Sequence, residues 1–503
     1  MLRSSLNNFL LPNVVMPLAA RLTENKGWQY YQQFLASDFE PPEQRRERQW
    51  SRLKRLIEHA YRNTGYYRDR MDAAGLTPDG IQTPADLRRM PVTTKQDLRD
   101  NFPDGIISRT ADLERVRVSN TSGTAGVPLV LAQDNDDINH KYASKLRTRH
   151  LMGAELGDRV LRLAPNECQP CFSDGSSPDV DLLRLLRMRL SGHPDYHHAR
   201  YIFLERKVIN PIVHQRAFPP PLDADNLHSG VEHYLELLKS YRPEVLAGHP
   251  LYLYLVARQV EKRGERIEGL KAVDCTGDLS TARLRSYLSR QFNAPAFQIY
   301  GGCEWGRLCG SCAHSEGPMH MLDDLCYVEF LDPDGQPVEE RVTGNIIITS
   351  LTNYTMPLIR FEHGDVGWFT DEPCGCGRTS RRMDVEGRLQ ALIVTTDNRP
   401  VFTSDLFDRL VPNPGVVLPK VTQLGPSRFE VSYLADPDQP LDEAAMRASL
   451  LEVLGQDAEL EIRALDRLQP APSGKFRLVH STSYQSYRCV TPDRREVELG
   501  EYW

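Results

Sequence analysis

Between Thr121 and Gly126 the chain reads Thr-Ser-Gly-Thr-Ala-Gly, three hydroxyl side chains and two glycines in six residues. Glycines let the backbone curl and present successive N–H groups, and the hydroxyls add donors around the same hollow, which is chemistry for holding phosphate oxygens. No Gly-Lys-Ser/Thr follows the glycines, so this is not a Walker loop. A second set is made of thiols. Cys309-Gly310-Ser311-Cys312 and Cys374-Gly375-Cys376 flank a β-rich segment, and the two arms could close on one tetrahedral Zn²⁺. Four protein ligands leave no open position, so that ion would be structural. Cys168 and Cys171 share the two-residue gap but have no second pair, and read as reduced thiols. Three charged groups sit where chains turn into clefts: Glu304 after a strand-like run, Asp365 between Gly364 and Gly367, and Lys475 between Gly474 and Phe476.

The elements around these residues follow two periods. Leu53, Leu56, Ile57, Ala60 and Tyr61 make one face of a helix over 46–62, and 135–152 reads as another long helix. From residue 228 helices alternate with short apolar runs at 244–247 and 272–275, a doubly wound pattern. Ser280 or Thr281 caps a helix bearing Leu284, Leu288 and Phe292, and 296–300 enters as a strand. From 326 the period becomes two, with an Asp332-Pro333-Asp334-Gly335 turn. Beyond Arg388 the pattern is small α+β, so the boundary falls near Gly387. Residues 165–225 are irregular, and suit either a substrate wall or a surface excursion.

The chain has 503 residues, enough for two to three domains, with the 40% hydrophobic and 26% charged content of a globular protein. A net charge of −7 gives no electrostatic case for nucleic acid or anionic membranes. Pro12 and Pro17 interrupt the apolar N-terminal run, which argues against a signal sequence, and ten cysteines do not make a disulfide scaffold. The reading is cytoplasmic.

Five stretches now fall in order: the Thr/Ser/Gly loop, Tyr300-Gly301-Gly302-Cys303-Glu304, Pro357–Phe361 running into Gly364-Asp365-Val366-Gly367, Gly387-Arg388-Leu389, and Pro472–Arg477 around Lys475. Together they resemble the adenylate-forming superfamily of acyl-CoA synthetases and adenylation domains. The Cys374–Arg378 stretch narrows this to the phenylacetate-CoA ligase branch, its CapK-like proteins above all. The resemblance spans roughly residues 45–480. It implies an α/β fold: a large domain of β-sheets flanked by helices (1–387, binding ATP and the acyl group) and a mobile α+β lid (388–503). It implies carboxylate activation by ATP and Mg²⁺ to an acyl- or aryl-AMP, then thioester formation. By resemblance Thr121, Ser122, Gly123, Thr124 and Gly126 hold phosphates, Glu304 holds Mg²⁺, Tyr300 and Gly301 lie at adenine, and Asp365 chelates the ribose hydroxyls. Lys475 serves the adenylation step, Arg388 lies at the nucleotide, and Gly277 and Asp278 line the adenine. His249 and Gly302 fall in the acyl pocket, and His314 could replace Cys309 or Cys312 at zinc.

Three positions depart from the pattern. Cys303 stands where Thr usually precedes the acid, Gln390 where the hinge acid is expected, and 395–399 lacks the glycine of the loop that meets CoA. Cys303 is a poorer donor to phosphate than Thr, and the other two departures predict weak use of CoA, leaving CoA, a carrier protein or an amine as acceptor. The rival of another class is an inactive zinc-containing scaffold, against which Lys475, Glu304 and Asp365 argue. Neither the carboxylic acid nor a homodimer is decided by the sequence.

Overall fold

The structure is a computed structural model, and it describes residues 9–23, 25–120, 129–163, 181–192, 196–203, 216–217, 227–314, 317–411, 413–468 and 476–483. The Thr121–Gly126 loop, Cys168, Cys171 and Lys475 lie outside the described residues.

A short hairpin, β1 (Arg117–Asn120) and β2 (Val130–Gln133), brackets the hydroxyl- and glycine-rich loop. The main sheet then takes up β3 (Val160–Leu163), β4 (Arg216–Ala217), β5 (Val245–Gly248), β6 (Ala272–Thr276) and β7 (Ala296–Gly302), which pair in parallel in the order β4-β3-β5-β6-β7. Buried on both faces, β5 and β6 show continuous rather than alternating burial, with Asp274 of β6 paired to Arg307 at 2.7 Å. From β7 the sheet turns antiparallel through β8 (Gly306–Gly310), β9 (Met319–Met321), β13 (Arg382–Arg388), β12 (Phe361–Thr370), β11 (Gly344–Ser350) and β10 (Cys326–Leu331). The change of direction falls at β7–β8, the turn that carries Glu304.

Helices cover this sheet by the spacing read from sequence. Leu53, Leu56, Ile57 and Ala60, at i, i+3, i+4 and i+7 of the helix Pro42–Asn63, are at most 1% exposed and pack into the antiparallel half. Leu251, Leu255, Leu284 and Leu288, from the helices Pro250–Arg263 and Ala282–Phe292, fill the parallel half. Thr281 caps the second of these by accepting from the Leu284 N–H.

After β13 a two-strand antiparallel ladder, β14 (Ile393–Val394) and β15 (Pro400–Val401), leads to a smaller sheet, order β18-β17-β16-β19, from β16 (Val416–Gln423), β17 (Arg428–Ala435), β18 (Glu459–Leu465) and β19 (Val479–His480). The helix Glu443–Leu454 crosses between the parallel pair β17 and β18. This unit rests on the helix Pro250–Arg263. Tyr254 Oη donates to the Val411 carbonyl at 2.6 Å, Arg258 pairs with Asp436 at 2.6 Å, and buried Phe476 stands 6.4 Å from the Tyr252 ring.

Candidate active site

Carboxylates and cations from segments distant in sequence meet beside the carboxyl end of β7. β12 and β13 pair so that Asp365 stands opposite Arg388, and Arg388 Nη1 donates to Asp365 Oδ1 at 2.8 Å. The Tyr300 hydroxyl, from β7, donates to Asp365 Oδ2 at 2.7 Å, and His363 Nδ1 shares the same oxygen. Burial opposes ionisation of Asp365, but Arg388, His363 and Tyr300 outweigh it and hold its carboxyl well below the usual range. Burial, reinforced by Asp365, pushes the Tyr300 hydroxyl well above its usual value. Both Asp365 oxygens are thus ionised and aligned by fixed donors.

Glu304 is 2% exposed, and its Oε1 lies 3.6 Å from His363 Nε2. His363 therefore bridges Glu304 and Asp365, its ring edge-on to Trp305 with centroids 5.0 Å apart. A Cβ at Gly302 would come within 2.5 Å of Glu304 Oε2, so glycine there gives the carboxylate its room. Glycine is required at 301, where a Cβ would meet the Gly306 carbonyl at 2.3 Å.

Lys95 was not among the sequence candidates, yet it faces this cluster. Arg360 adopts φ +48°, pairs with Glu329 at 2.9 Å, and its guanidinium caps the carbonyls of Arg88 and Met90. That ties residues 88–94 alongside β12, where Thr93 exchanges backbone hydrogen bonds with Arg360 and Glu362, both at 2.9 Å. Lys95 then opens the helix Lys95–Asp100 beside Arg388, Glu304 and Asp365. Burial, with repulsion from Arg388, lowers its ammonium to about 8. The sequence signal was present, since Thr94 and Asp97 form a capping box, but nothing local says that this helix start meets a strand about 270 residues later.

His249 is buried at the exit of β5, its ring against Gly277 at the exit of β6. Gly277 sits at φ +93°, and a Cβ there would come within 2.7 Å of the imidazole. Asp278, next to it, is exposed and its carboxylate accepts from the Leu279 N–H at 3.0 Å. The carboxyl ends of parallel strands form the wall where open α/β sheets bind ligands.

The thiols assemble differently from the expectation. Cys312, Cys374, Cys376 and His320 place their donor atoms within 4.8 Å of one another. Cys309 does not join them. It belongs to β8 and is buried with its Sγ 3.8 Å from Met319 Sδ, because side chains alternate along a strand and its side faces the core. His320, on β9, takes the fourth place rather than His314. Cys312 and Cys374 sulfurs are 3.6 Å apart, matching the roughly 3.7 Å between thiolates on one tetrahedral ion with Zn–S near 2.3 Å. His320 Nε2 is 3.3 Å from Cys376 Sγ, and its Nδ1 meets Ser380 Oγ at 3.1 Å. Burial, then Arg147 and Arg378, lowers His320 to about 3, so its imidazole is neutral as a ligand must be. Burial opposes ionisation of Cys376, but bonds from Arg378 hold its thiol below the usual range. The donor set fits zinc.

This cluster is anchored to the N-terminal helices. Asp38, 2% exposed, accepts from Arg147 Nε and Nη2 at 2.9 and 2.7 Å and from Arg378 Nε at 2.9 Å.

With that geometry in view, the comparisons decide the relationship. The chain is 28% identical over 360 residues to the phenylacetate-coenzyme A ligase of Thermus thermophilus, covering 70% of this chain and 72% of that one. It is also 28% identical over 371 residues to the Escherichia coli enzyme of the same name, covering 72% and 75%. The chain is similar to the phenylacetate-CoA ligases. Its fold is that of the adenylate-forming enzymes: the solved 2-hydroxyisobutyryl-CoA ligase in the postadenylation state superposes with a TM-score of 0.68 at 18% identity, covering 90% of this chain and 92% of that one. The same ligase in its thioesterification state, with CoA bound, gives 0.57 at 18% identity, covering 90% and 92%. No family model matches the chain. Among the described residues, no helix is long and apolar enough to cross a membrane.

Proposed function

We propose that this protein activates a carboxylic acid with ATP to an acyl- or aryl-adenylate and then transfers the acyl group to the thiol of CoA. The observation that carries the reading is the buried Glu304–His363–Asp365–Arg388 line with Lys95 beside it, in a chain similar to phenylacetate-CoA ligases. The substrate carboxylate attacks the α-phosphorus and pyrophosphate leaves, so negative charge must be held on the triphosphate while the nucleotide stays oriented.

Asp365 accepts from the ribose hydroxyls with an oxygen pair kept ionised by Arg388, His363 and Tyr300. Glu304 holds the Mg²⁺ that screens the triphosphate, and its buried carboxylate beside His363 suits a small hard cation. Lys95 and Arg388 bring fixed positive charge to the same cleft, adding to the Thr121–Gly126 loop and Lys475, which the resemblance assigns to the phosphates. His249 and Gly277 form part of the acyl wall. The smaller unit, 388–503, acts as the lid, and Gln390 lies exposed at its hinge. Cys312, His320, Cys374 and Cys376 hold a structural Zn²⁺.

CoA is favoured over an amine or a carrier protein because the matching curated relatives are CoA ligases. The glycine-free loop also has a physical answer, since Asn398 takes φ +62° there, and Asn is among the residues that enter the left-handed region most readily. The test is product analysis with ATP, Mg²⁺ and phenylacetic, other aryl and short aliphatic acids. Acyl-CoA and AMP formed in equal amounts support the reading. Adenylate that is discharged only onto an amine or a carrier protein overturns the CoA step.

A further inference from the structure

One face of the helix Asn135–Leu151 grips the turn that carries Glu304 from both sides. Asp137, Lys141, Ser144 and Thr148 fall at i, i+4, i+7 and i+11, a single stripe of an α-helix. Before the acid, Lys141 Nζ donates to the Cys303 carbonyl at 3.0 Å. After it, Ser144 Oγ accepts from the Arg307 N–H at 3.1 Å, and Thr148 Oγ1 accepts from Arg307 Nη1 at 3.1 Å. Gly306, between the two grips, has φ +84°, and a Cβ there would press on Lys141 Cβ and Cγ and Ser144 Oγ, each at 3.0 Å. The turn is seated directly on the helix surface.

The lysine is itself fixed. Asp137 is fully buried and accepts from Lys141 at 2.8 Å, from Gln133 Nε2 at 2.8 Å and from Thr352 Oγ1 at 2.7 Å. The Lys141 side chain is only 14% exposed, so this is a desolvated ion pair rather than a surface one. An ion pair of that kind is costly to bury and is kept where it fixes a geometry. Here the geometry is the path of the Cys303–Arg307 backbone. Lys141 reaches that backbone from the neighbouring helix and stiffens it.

We propose that Lys141, clamped by Asp137, is a positioning residue that sets the Glu304 carboxylate for the divalent cation accompanying ATP. This rests on the reading of Glu304 as the metal carboxylate. Lys141 holds the backbone that precedes the acid; without it the turn keeps its anchor at Arg307 but has at Cys303 only the longer, 3.5 Å contact from Gln133 Nε2, and Glu304 samples orientations that bind the cation less tightly.

The experiment compares Lys141→Met, Lys141→Arg, Ser144→Ala and Glu304→Gln with the parent protein. Binding of Mn²⁺ is followed by electron paramagnetic resonance in the presence of α,β-methylene-ATP, and binding of that nucleotide alone is measured without metal. Lys141→Met is expected to weaken Mn²⁺ about tenfold, as loss of one charged hydrogen bond implies, and to leave metal-free nucleotide binding unchanged. Lys141→Arg, which keeps a cationic donor, restores most of the Mn²⁺ affinity, and Ser144→Ala gives a smaller loss. In acid-dependent turnover, Lys141→Met needs about tenfold more Mg²⁺ for half-activation and recovers kcat at saturation. Unchanged Mn²⁺ affinity in folded Lys141→Met, when Glu304→Gln has lost it, overturns the proposal alone. Unchanged affinity in Glu304→Gln as well overturns the reading of Glu304. A kcat loss in Lys141→Met that no Mg²⁺ concentration restores and Lys141→Arg does not rescue also overturns it.

Discussion

Lys95 lets function and stability be set against each other. An ammonium that titrates near 10.5 in an open chain is held at about 8 here, first by burial and then by Arg388. At pH 7 the side chain is charged both folded and unfolded, so the folded state carries the whole cost of burying that charge. The interval between 10.5 and about 8 corresponds to roughly 3 kcal/mol. Lys95 is only half-buried, so solvent screening reduces this to about 1–3 kcal/mol. Lys95→Met keeps the aliphatic stem and removes the charge, so it is expected to stabilise the ligand-free protein by that amount at pH 7. As pH rises from about 8 towards 10.5 the folded lysine releases its proton before the unfolded one does, and the advantage of methionine fades. The assay is urea unfolding of both proteins at pH 7 and pH 10.5, with acid-dependent AMP formation measured in parallel. Activity is expected to fall about a hundredfold, because a cation aimed at developing phosphate charge is commonly worth about 3 kcal/mol. Destabilisation by Lys95→Met at pH 7, or a stability difference that ignores pH, would refute the reasoning.

Asp365→Asn is expected to raise the dissociation constant for ATP ten- to a hundredfold in calorimetric titration, since it removes the charge of the carboxylate that Arg388 holds and that we propose binds the ribose hydroxyls. Asp38→Asn leaves Arg147, whose side chain is 1% exposed, without its carboxylate, and is expected to cost about 3–5 kcal/mol in urea unfolding; a loss below 1 kcal/mol would contradict the burial argument. Protein purified without chelator is expected to contain one zinc per chain by elemental analysis. His320→Ala or Cys376→Ser would lower that zinc content and the thermal midpoint, and Cys309→Ser would leave the zinc content unchanged.

Much of the architecture was legible because the period of the apolar residues changes where the structure changes. Helix 46–62 appears as Pro42–Asn63, the strand 272–275 as Ala272–Thr276, and the two-residue alternation after 326 as the antiparallel strands β10 to β13. The Tyr300–Glu304 stretch reads as a strand running into a turn and is one, at β7–β8, whereas Asp365, expected where the chain turns out, lies within β12 opposite Arg388 because Gly364 and Gly367 are strand residues. The thiol cluster was half legible. A spacing of two residues between Cys309 and Cys312 suggested a pair, but a strand turns alternate side chains to opposite faces, and β8 sends Cys309 into the core. His320 was hidden because it lies on the neighbouring strand β9, and only sheet register brings it to the thiols. Lys95 and Lys141 escaped notice for the same physical reason. Each lies on a helix in a locally ordinary sequence, and each acquires its role from contacts with a turn or strand more than 150 residues away. Absence of glycine from 395–399 does not exclude a left-handed residue, because Asn398 takes φ +62° there.

The most direct test of the central claim is exchange of labelled pyrophosphate into ATP, measured with folded protein, Mg²⁺ and a panel of aryl, fatty and amino acids, in the absence of CoA. The account predicts exchange that depends on one class of carboxylic acid, is abolished in Glu304→Gln and is strongly reduced in Lys475→Ala. Exchange with none of the acids, while the protein still binds ATP, would contradict adenylate formation and leave the chain as a nucleotide-binding scaffold.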